Sequence, residues 1–232
     1  MKKFFLIPLI MVAILFSCKS DDSEPGPVPD DVLSVSATYR ITFMPDFTED
    51  NFPDDYPTNA TFSGIFVAVH APTEDVFNVG TPATPGLKAL AEDGANGTLN
   101  NELSIQGDGD SNDFNVFNLT ASGGPTEQQS IEIVIDPEKT SFTFLTSISP
   151  SPDWFLGVDS FSLIASSNTL VEMEEVQVLA YDAGTDSGTT YESPDEPSNP
   201  VGQVRVIDTP PLVQDIGIGG SIGKIVIERT DN

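Results

Sequence analysis

The chain contains a single cysteine, Cys18, and a single histidine, His70, which limits the chemistry it can perform. A zinc site usually needs four Cys or His ligands, so one of each is too few. A Ser-His-Asp triad is formally possible through His70. However, this residue ends the apolar run Val67-Ala68-Val69-His70, a setting that favours a structural histidine at a strand end. Catalysis has little support, although a carboxylate pair for glycoside cleavage stays open among 36 acidic residues.

The acidic residues dominate the charge of the chain. There are 36 Asp and Glu against nine Lys and Arg, which gives a formal net charge of −27. No basic stripe is present to release counterions from phosphates, so nucleic acid is excluded as a partner. An acidic surface suggests a need for divalent cations, and solubility by charge repulsion is the simpler alternative.

The N-terminal residues have the pattern of an export and anchoring signal. Met1-Lys2-Lys3 is cationic, residues 4–16 form an apolar run too short to span a bilayer, and Leu15-Phe16-Ser17-Cys18 has the form of a lipobox. We expect a lipoprotein signal peptide over residues 1–17, cleavage before Cys18, and acyl chains on the new N-terminal cysteine as a membrane anchor. An acylated Cys18 leaves no thiol for catalysis or for a disulfide.

Residues 18–32 follow as a tether. They are rich in Pro, Gly, Asp and Glu, which cannot bury apolar area and favour an extended, solvated segment. Acidic residues directly behind the acylated cysteine resemble the surface-export signal of Bacteroidetes lipoproteins, although any lipoprotein tether is polar. The expected location is the outer membrane, with the domain exposed at the cell surface.

Residues 33–232 are predicted to form one all-β domain. Val35, Ala37, Tyr39, Ile41 and Phe43 alternate with polar residues, the pattern of a half-buried strand. The same period recurs near residues 65–69, 131–135 and 142–144, and Asp136-Pro137-Glu138-Lys139 suggests a hairpin turn between the last two. Further strands are expected near residues 115–119, 160–165, 175–181, 203–207 and 224–228. This density of short strands predicts an antiparallel β-sandwich.

One short helix is predicted after residue 84. Thr84 can cap it, Pro85 suits the first helical position, Leu87 and Leu90 begin an apolar stripe, and Gly94 can end it.

Three segments identify the domain as resembling a known family. They are residues 149–160 (Ser-Pro-Ser-Pro-Asp-Trp-Phe-Leu-Gly-Val-Asp-Ser), 181–188 (Tyr-Asp-Ala-Gly-Thr-Asp-Ser-Gly) and 86–94 (Gly-Leu-Lys-Ala-Leu-Ala-Glu-Asp-Gly). Together they resemble the spondin N-terminal domain, found in the animal matrix proteins F-spondin and mindin and in bacterial lipoproteins. The resemblance implies a C2-like antiparallel β-sandwich with bound calcium and a role in extracellular recognition.

The resemblance also assigns calcium ligands. It places them at Asp153, at Asp182 and at an acidic residue of the strand before the predicted hairpin, where Glu132 is the acidic residue available. For an isolated Pro-Asp, a turn-capping role would be the alternative for Asp153. Asp159 and Asp186 are candidates for a second shell, and Asp186 is also suited to stabilise its glycine-rich loop. Trp154 is expected in the core or in the wall of the site.

A second acidic segment, Asp108-Gly109-Asp110-Ser111-Asn112-Asp113, resembles the start of an EF-hand loop. Asp113 stands where glycine is required and Leu119 where glutamate is required, so a solvated loop is expected.

The expected function is an outer-membrane-tethered, calcium-binding module for adhesion, with an extracellular glycan or protein as ligand. The alternative is a hydrolase of extracellular polymers that uses acidic residues. A tight carboxylate cluster at strand ends would support the module, whereas a groove with two facing carboxylates would support the hydrolase.

Overall fold

The computed structural model describes residues 36–105, 113–212 and 221–231. Cys18, the tether and residues 108–112 lie outside this part. The described residues form two antiparallel sheets and two short helices. The elements in chain order are β1 Ala37–Pro45, β2 Thr61–Phe62, β3 Phe66–His70, α1 Pro85–Asp93, α2 Gly97–Ile105, β4 Phe114–Asn118, β5 Gln129–Ile135, β6 Ser141–Ser149, β7 Trp154–Ser162, β8 Met173–Gln177, β9 Leu179–Asp182, β10 Arg205–Val206 and β11 Gly223–Arg229.

The smaller sheet has four strands in the order β5-β1-β11-β8. Its central strand β1 shows the predicted alternation, since Ala37, Tyr39, Ile41 and Phe43 are buried and the residues between them are partly or fully exposed. The buried face packs on the second sheet through side chains such as Phe144 and Ile148. The outer face carries charged residues, which is the usual division for an antiparallel sheet with one solvated side.

The larger sheet has seven strands: six in the order β10-β9-β7-β6-β3-β4, with β2 pairing β6. Its central strands are buried on both faces, unlike the half-buried strands that alternation near residues 65–69 predicted. A second apolar cluster explains the difference, because helices α1 and α2 cover the outer face through residues such as Leu87, Leu90 and Leu99. The all-β prediction is confirmed, and the two sheets form a sandwich.

Helix α1 has the predicted capping residues. Thr84 Oγ1 accepts a hydrogen bond from the backbone N–H of Leu87 at 3.1 Å, and Gly94 ends the helix at φ 66°. Helix α2 was not predicted from the sequence, because its nine residues bury only two leucines, Leu99 and Leu103. It supports α1 through Glu102, whose carboxylate accepts hydrogen bonds from Thr84 Oγ1 and the Gly86 N–H, both at 2.7 Å.

Two connections differ from the prediction. The turn at Asp136 forms, with its carboxylate accepting from the N–H groups of Glu138 and Lys139, both at 3.0 Å. However, β5 and β6 belong to different sheets, so the segment crosses the sandwich and is not a hairpin. The single strand expected near residues 175–181 is two strands, because the chain changes sheet at the buried Val178.

Candidate metal centre

Asp153 and Asp182 lie side by side at one end of the larger sheet. Asp153 immediately precedes β7 and Asp182 ends β9. The two strands are antiparallel neighbours, with Trp154 paired to Asp182, and the backbone N–H of Ala183 donates to the carbonyl of Asp153 at 3.1 Å. Two aspartates that are 29 residues apart in sequence, each from a different motif, therefore lie side by side.

The carboxylate of Asp153 is fully buried and only half satisfied. Its Oδ2 accepts hydrogen bonds from the backbone N–H groups of Thr185 at 2.6 Å and Asp186 at 3.1 Å. Its Oδ1 has no hydrogen-bond partner within the described residues. Burial raises the pKa of Asp153 to about 6, and the nearby charge of Asp182 adds to this rise, while the hydrogen bonds from Asp186 and Thr185 oppose it.

Asp182 is also buried, and its two oxygens have different partners. Oδ1 accepts from the backbone N–H of Gly184 at 2.7 Å, and Oδ2 forms an ion pair with Nη2 of Arg205 at 2.7 Å. Gly184 has φ 73°, and a Cβ there would lie 2.7 Å from the backbone nitrogen of Gln203. Glycine is therefore needed for the turn that brings this N–H to Asp182.

A third carboxylate reaches the pair from helix α1. The hydroxyl of Thr185 lies 2.7 Å from Oε1 of Glu92 and 3.3 Å from Oδ2 of Asp153, so it links the two carboxylates. Glu92 is in the last turn of α1 and also pairs with Lys88 at 3.4 Å. No pattern in the sequence marks Glu92 as a ligand, although it belongs to the Leu-Ala-Glu-Asp-Gly segment that carries part of the resemblance.

Glu132 and Asp159 are not brought to this site. Glu132 faces solvent on the outer face of the smaller sheet, where its side chain is 64% exposed and pairs with Arg40 at 3.3 Å. The alternation of β5 fixes this orientation, because Ile133 and Ile135, which follow it, take the buried face. Asp159 lies on β7 about 20 Å from Asp153 at ~3.3 Å per residue. It contacts Ser160, which also donates to Asp75.

Asp186 and His70 have structural roles. Oδ1 of Asp186 accepts from the N–H of Gly188 and Oδ2 from the N–H of Glu196, both at 2.7 Å, so this carboxylate holds its own loop together. His70 is buried, with Nδ1 at 2.8 Å from the carbonyl oxygen of Ala71 and Nε2 at 3.1 Å from Oγ1 of Thr143. Both ring nitrogens are engaged, which supports the structural interpretation of this histidine.

Trp154 lies in the core beside the site, as expected. It is 3% exposed and packs edge-to-face on Tyr191 with ring centroids 5.2 Å apart. Its backbone begins β7, so it fixes the position of Asp153 relative to the sheet.

The donor set of the site fits a hard divalent cation. Calcium binds carboxylate and carbonyl oxygens. Oδ1 of Asp153 has no hydrogen-bond partner among the described residues, and its carboxylate is buried next to that of Asp182. Among the described residues, however, no three His, Cys, Asp or Glu side chains already form a metal-binding group. The pair is preformed, and Glu92 is separated from it by the Thr185 hydroxyl.

The fold and the site define a class of protein: an antiparallel β-sandwich that places two buried carboxylates at neighbouring strand ends. Residues 37–214 match the family described as Spondin_N. The chain belongs to the spondin N-terminal domain family, which confirms the resemblance of the three segments.

Relatives from vertebrates share this domain. The chain is 31% identical to Spondin-1 of Rattus norvegicus over 226 residues, which cover 91% of this chain and 28% of that protein. It is 33% identical to Spondin-2 of Homo sapiens over 161 residues, which cover 68% of this chain and 48% of that protein. The chain therefore spans less than half the length of these relatives. Within the described residues, no helix is long and apolar enough to cross a membrane.

Proposed function

We propose that this domain is a calcium-stabilised module for extracellular binding or adhesion, held at the outer membrane by acyl chains on Cys18. The observation that carries the calcium proposal is the buried pair of Asp153 and Asp182, with one carboxylate oxygen unpartnered among the described residues. A bound ion would supply the positive charge that these oxygens share. It would also fix the start of β7 to the end of β9.

Asp153, Asp182 and Glu92 are the residues proposed to hold the ion. Calcium usually takes two or three carboxylates and completes its shell with carbonyl oxygens and water. Glu92 comes from helix α1, so the ion would join the helix to the sheet that it covers. This choice replaces Glu132, whose side chain faces solvent on the other sheet.

The binding role rests on the family and on the site. The carboxylate pair lies at strand ends, the arrangement expected of a metal-binding module rather than of a hydrolase. The lipobox at Cys18 and the acidic tether support a position outside the cell. Outside the cell, a domain without disulfides gains stability from a bound ion, because a ligand that binds only the folded state stabilises that state.

Thermal unfolding with calcium and with chelator tests the proposal. An ion that binds only the folded state adds about 2.7 kcal/mol when its concentration is a hundred times the Kd. For a domain of this size that corresponds to a rise in Tm of roughly 5–10 °C. An unchanged Tm, together with no calcium by elemental analysis, would rule out the metal site.

Calorimetric titration of two variants distinguishes the third ligand. Glu92→Gln removes a carboxylate charge next to the pair, so calcium affinity should fall by about tenfold or more. Glu132→Gln is the matched control, because it makes the same chemical change on the outer face of the other sheet. If Glu132→Gln lowers the affinity and Glu92→Gln does not, the assignment of Glu92 is wrong.

A further inference from the structure

A cavity of about 490 Å³ opens beside the carboxylate pair, on the side of Arg205. This volume lies in the range of small-molecule sites, which is roughly 300–1,000 Å³. Its walls come from the loop after β9, from residues near β10 and from Val79 and Gly80, and they include both polar and apolar side chains. Among the lining residues are Arg205, Thr189, Ser198, Gln203, Val79 and Pro200.

The free polar groups of this cavity include several hydrogen-bond donors. Arg205 is 72% exposed, and it uses Nη2 for Asp182, while its Nε and Nη1 make no hydrogen bond within the described residues. The side chains of Thr189, Ser198 and Gln203 likewise make none among the residues described. An arginine with unused N–H groups is suited to a carboxylate, which it can bind through two parallel hydrogen bonds.

The acidic residues of the cavity are already satisfied. Both oxygens of Asp186 accept backbone hydrogen bonds, from Gly188 and Glu196. Those of Asp182 accept from Gly184 and Arg205. Apart from the calcium proposed at Asp182, a cationic ligand would find no unpaired carboxylate oxygen among these lining residues, whereas an anionic one meets Arg205. Asp182 and Asp186 also line the cavity and oppose an anion, whereas acidic residues more than about 8 Å away are screened at physiological ionic strength. Binding of a carboxylate therefore depends on direct contact with Arg205.

The other side chains of the lining favour a sugar as the molecule that bears the carboxylate. Two hydroxyl groups and one amide can exchange hydrogen bonds with sugar hydroxyls. Val79, which is 53% exposed, and Pro200 offer an apolar surface to the C–H groups of a ring. We propose that this cavity is a binding subsite for a carboxylate-bearing sugar, with Arg205 as the group that binds its carboxylate. The inference rests on the proposed binding function and specifies its ligand class.

Titration with glucuronate, followed by NMR chemical shifts of the soluble domain, tests the subsite. The native domain should bind glucuronate more tightly than glucose or acetate, because only glucuronate has both the carboxylate and the hydroxyl groups. Arg205→Gln should weaken glucuronate binding by about tenfold or more, as expected for loss of a charge-assisted contact. Arg205→Lys should bind with intermediate affinity, because lysine keeps the charge and loses the bidentate geometry.

Lys224→Gln is the matched control, since Lys224 forms an ion pair of similar length, 2.8 Å to Glu175, on the other sheet. It should leave glucuronate affinity unchanged. Ser198→Ala removes one hydroxyl group of the lining and leaves Asp182 and Arg205 unchanged, and it should weaken glucuronate binding whether or not Arg205→Gln folds. Equal binding of glucose and glucuronate, or unchanged glucuronate affinity in the folded Arg205 and Ser198 variants, would overturn the proposal.

The glucuronate titration is carried out both with calcium and with chelator. Binding in either buffer supports the subsite, and binding in neither contradicts it. The calcium site is judged separately, by unfolding in the absence of sugar. Failure of one proposal is therefore distinguishable from failure of the other.

Discussion

Asp153→Asn should stabilise the calcium-free domain, although it changes a fully buried residue. The substitution keeps the shape of the side chain and removes a charge that is buried beside Asp182. The carbonyl oxygen of asparagine can take the place of Oδ2 and keep the hydrogen bonds from Thr185 and Asp186. Its amide group then replaces the unpartnered oxygen and carries no negative charge to repel the carboxylate of Asp182.

The size of the effect follows from the pKa of Asp153. The rise from 3.8 to about 6 corresponds to about 3 kcal/mol against the charged form in the folded state. Between these values the folded chain binds more protons than the unfolded chain, so the calcium-free domain loses stability as pH rises from about 4 to about 6. Above pH ~6 the asparagine variant avoids this cost, so its gain is at most about 3 kcal/mol, or roughly 6–12 °C in Tm.

Calorimetric unfolding in chelator, at pH values from about 4.5 to about 7.5, measures this gain and its pH dependence. The variant should exceed the native domain above pH ~6 and approach it at lower pH, and calcium should no longer raise its Tm. Glu132→Gln serves as control and should change little, because that carboxylate is exposed. A lower Tm for Asp153→Asn in chelator, or a calcium response equal to that of the native domain, would refute the reasoning.

Three further predictions concern the turn, the anchor and the acidic loop. Gly184→Ala should destabilise the domain by about 2 kcal/mol or more in urea unfolding, since a Cβ would meet the Gln203 backbone. Gly80→Ala, also at positive φ but with open space around it, should cost only about 1 kcal/mol; equal losses would contradict the steric argument. Cys18→Ser should abolish incorporation of a labelled lipid precursor, and label recovered on this variant would exclude the lipoprotein assignment. Asp108→Asn and Asp110→Asn should leave calcium affinity unchanged in titration; a loss of binding there would move the metal site to that loop.

The class of fold could be predicted because the alternation of apolar and polar residues within a strand is a local property of the sequence. The alternation in β1 and the capping residues of α1 are encoded within a few neighbouring positions, and the structure contains both. β5 and β6 pair with strands of different sheets, and these pairings depend on residues far apart in sequence. The residues around Asp136 therefore predicted a hairpin that the structure does not contain. Helix α2 has little apolar periodicity and depends on its contacts with α1.

The candidate site was predictable only in part for a related reason. Asp153 and Asp182 belong to ungapped segments, so their positions carried over directly from the family. Glu132 is the acidic residue available on one strand, but its alternation with the buried Ile133 and Ile135 directs its side chain to solvent. Glu92 reaches the pair only because α1 packs on the sheet, and no spacing along the chain reveals that contact.

The pairing of β1 with β11 joins the two ends of the domain. Tyr39 pairs with Arg229, and the hydroxyl of Thr230 lies 3.3 Å from the carbonyl of Thr38, a separation of 192 residues. Contacts this distant in sequence close a large loop and slow folding relative to local contacts. The smaller sheet cannot be completed until its last strand has arrived between β1 and β8. The smaller sheet is therefore complete only once both β1 and β11 are available, and loss of β11 would leave the facing edges of β1 and β8 open to pairing with other chains.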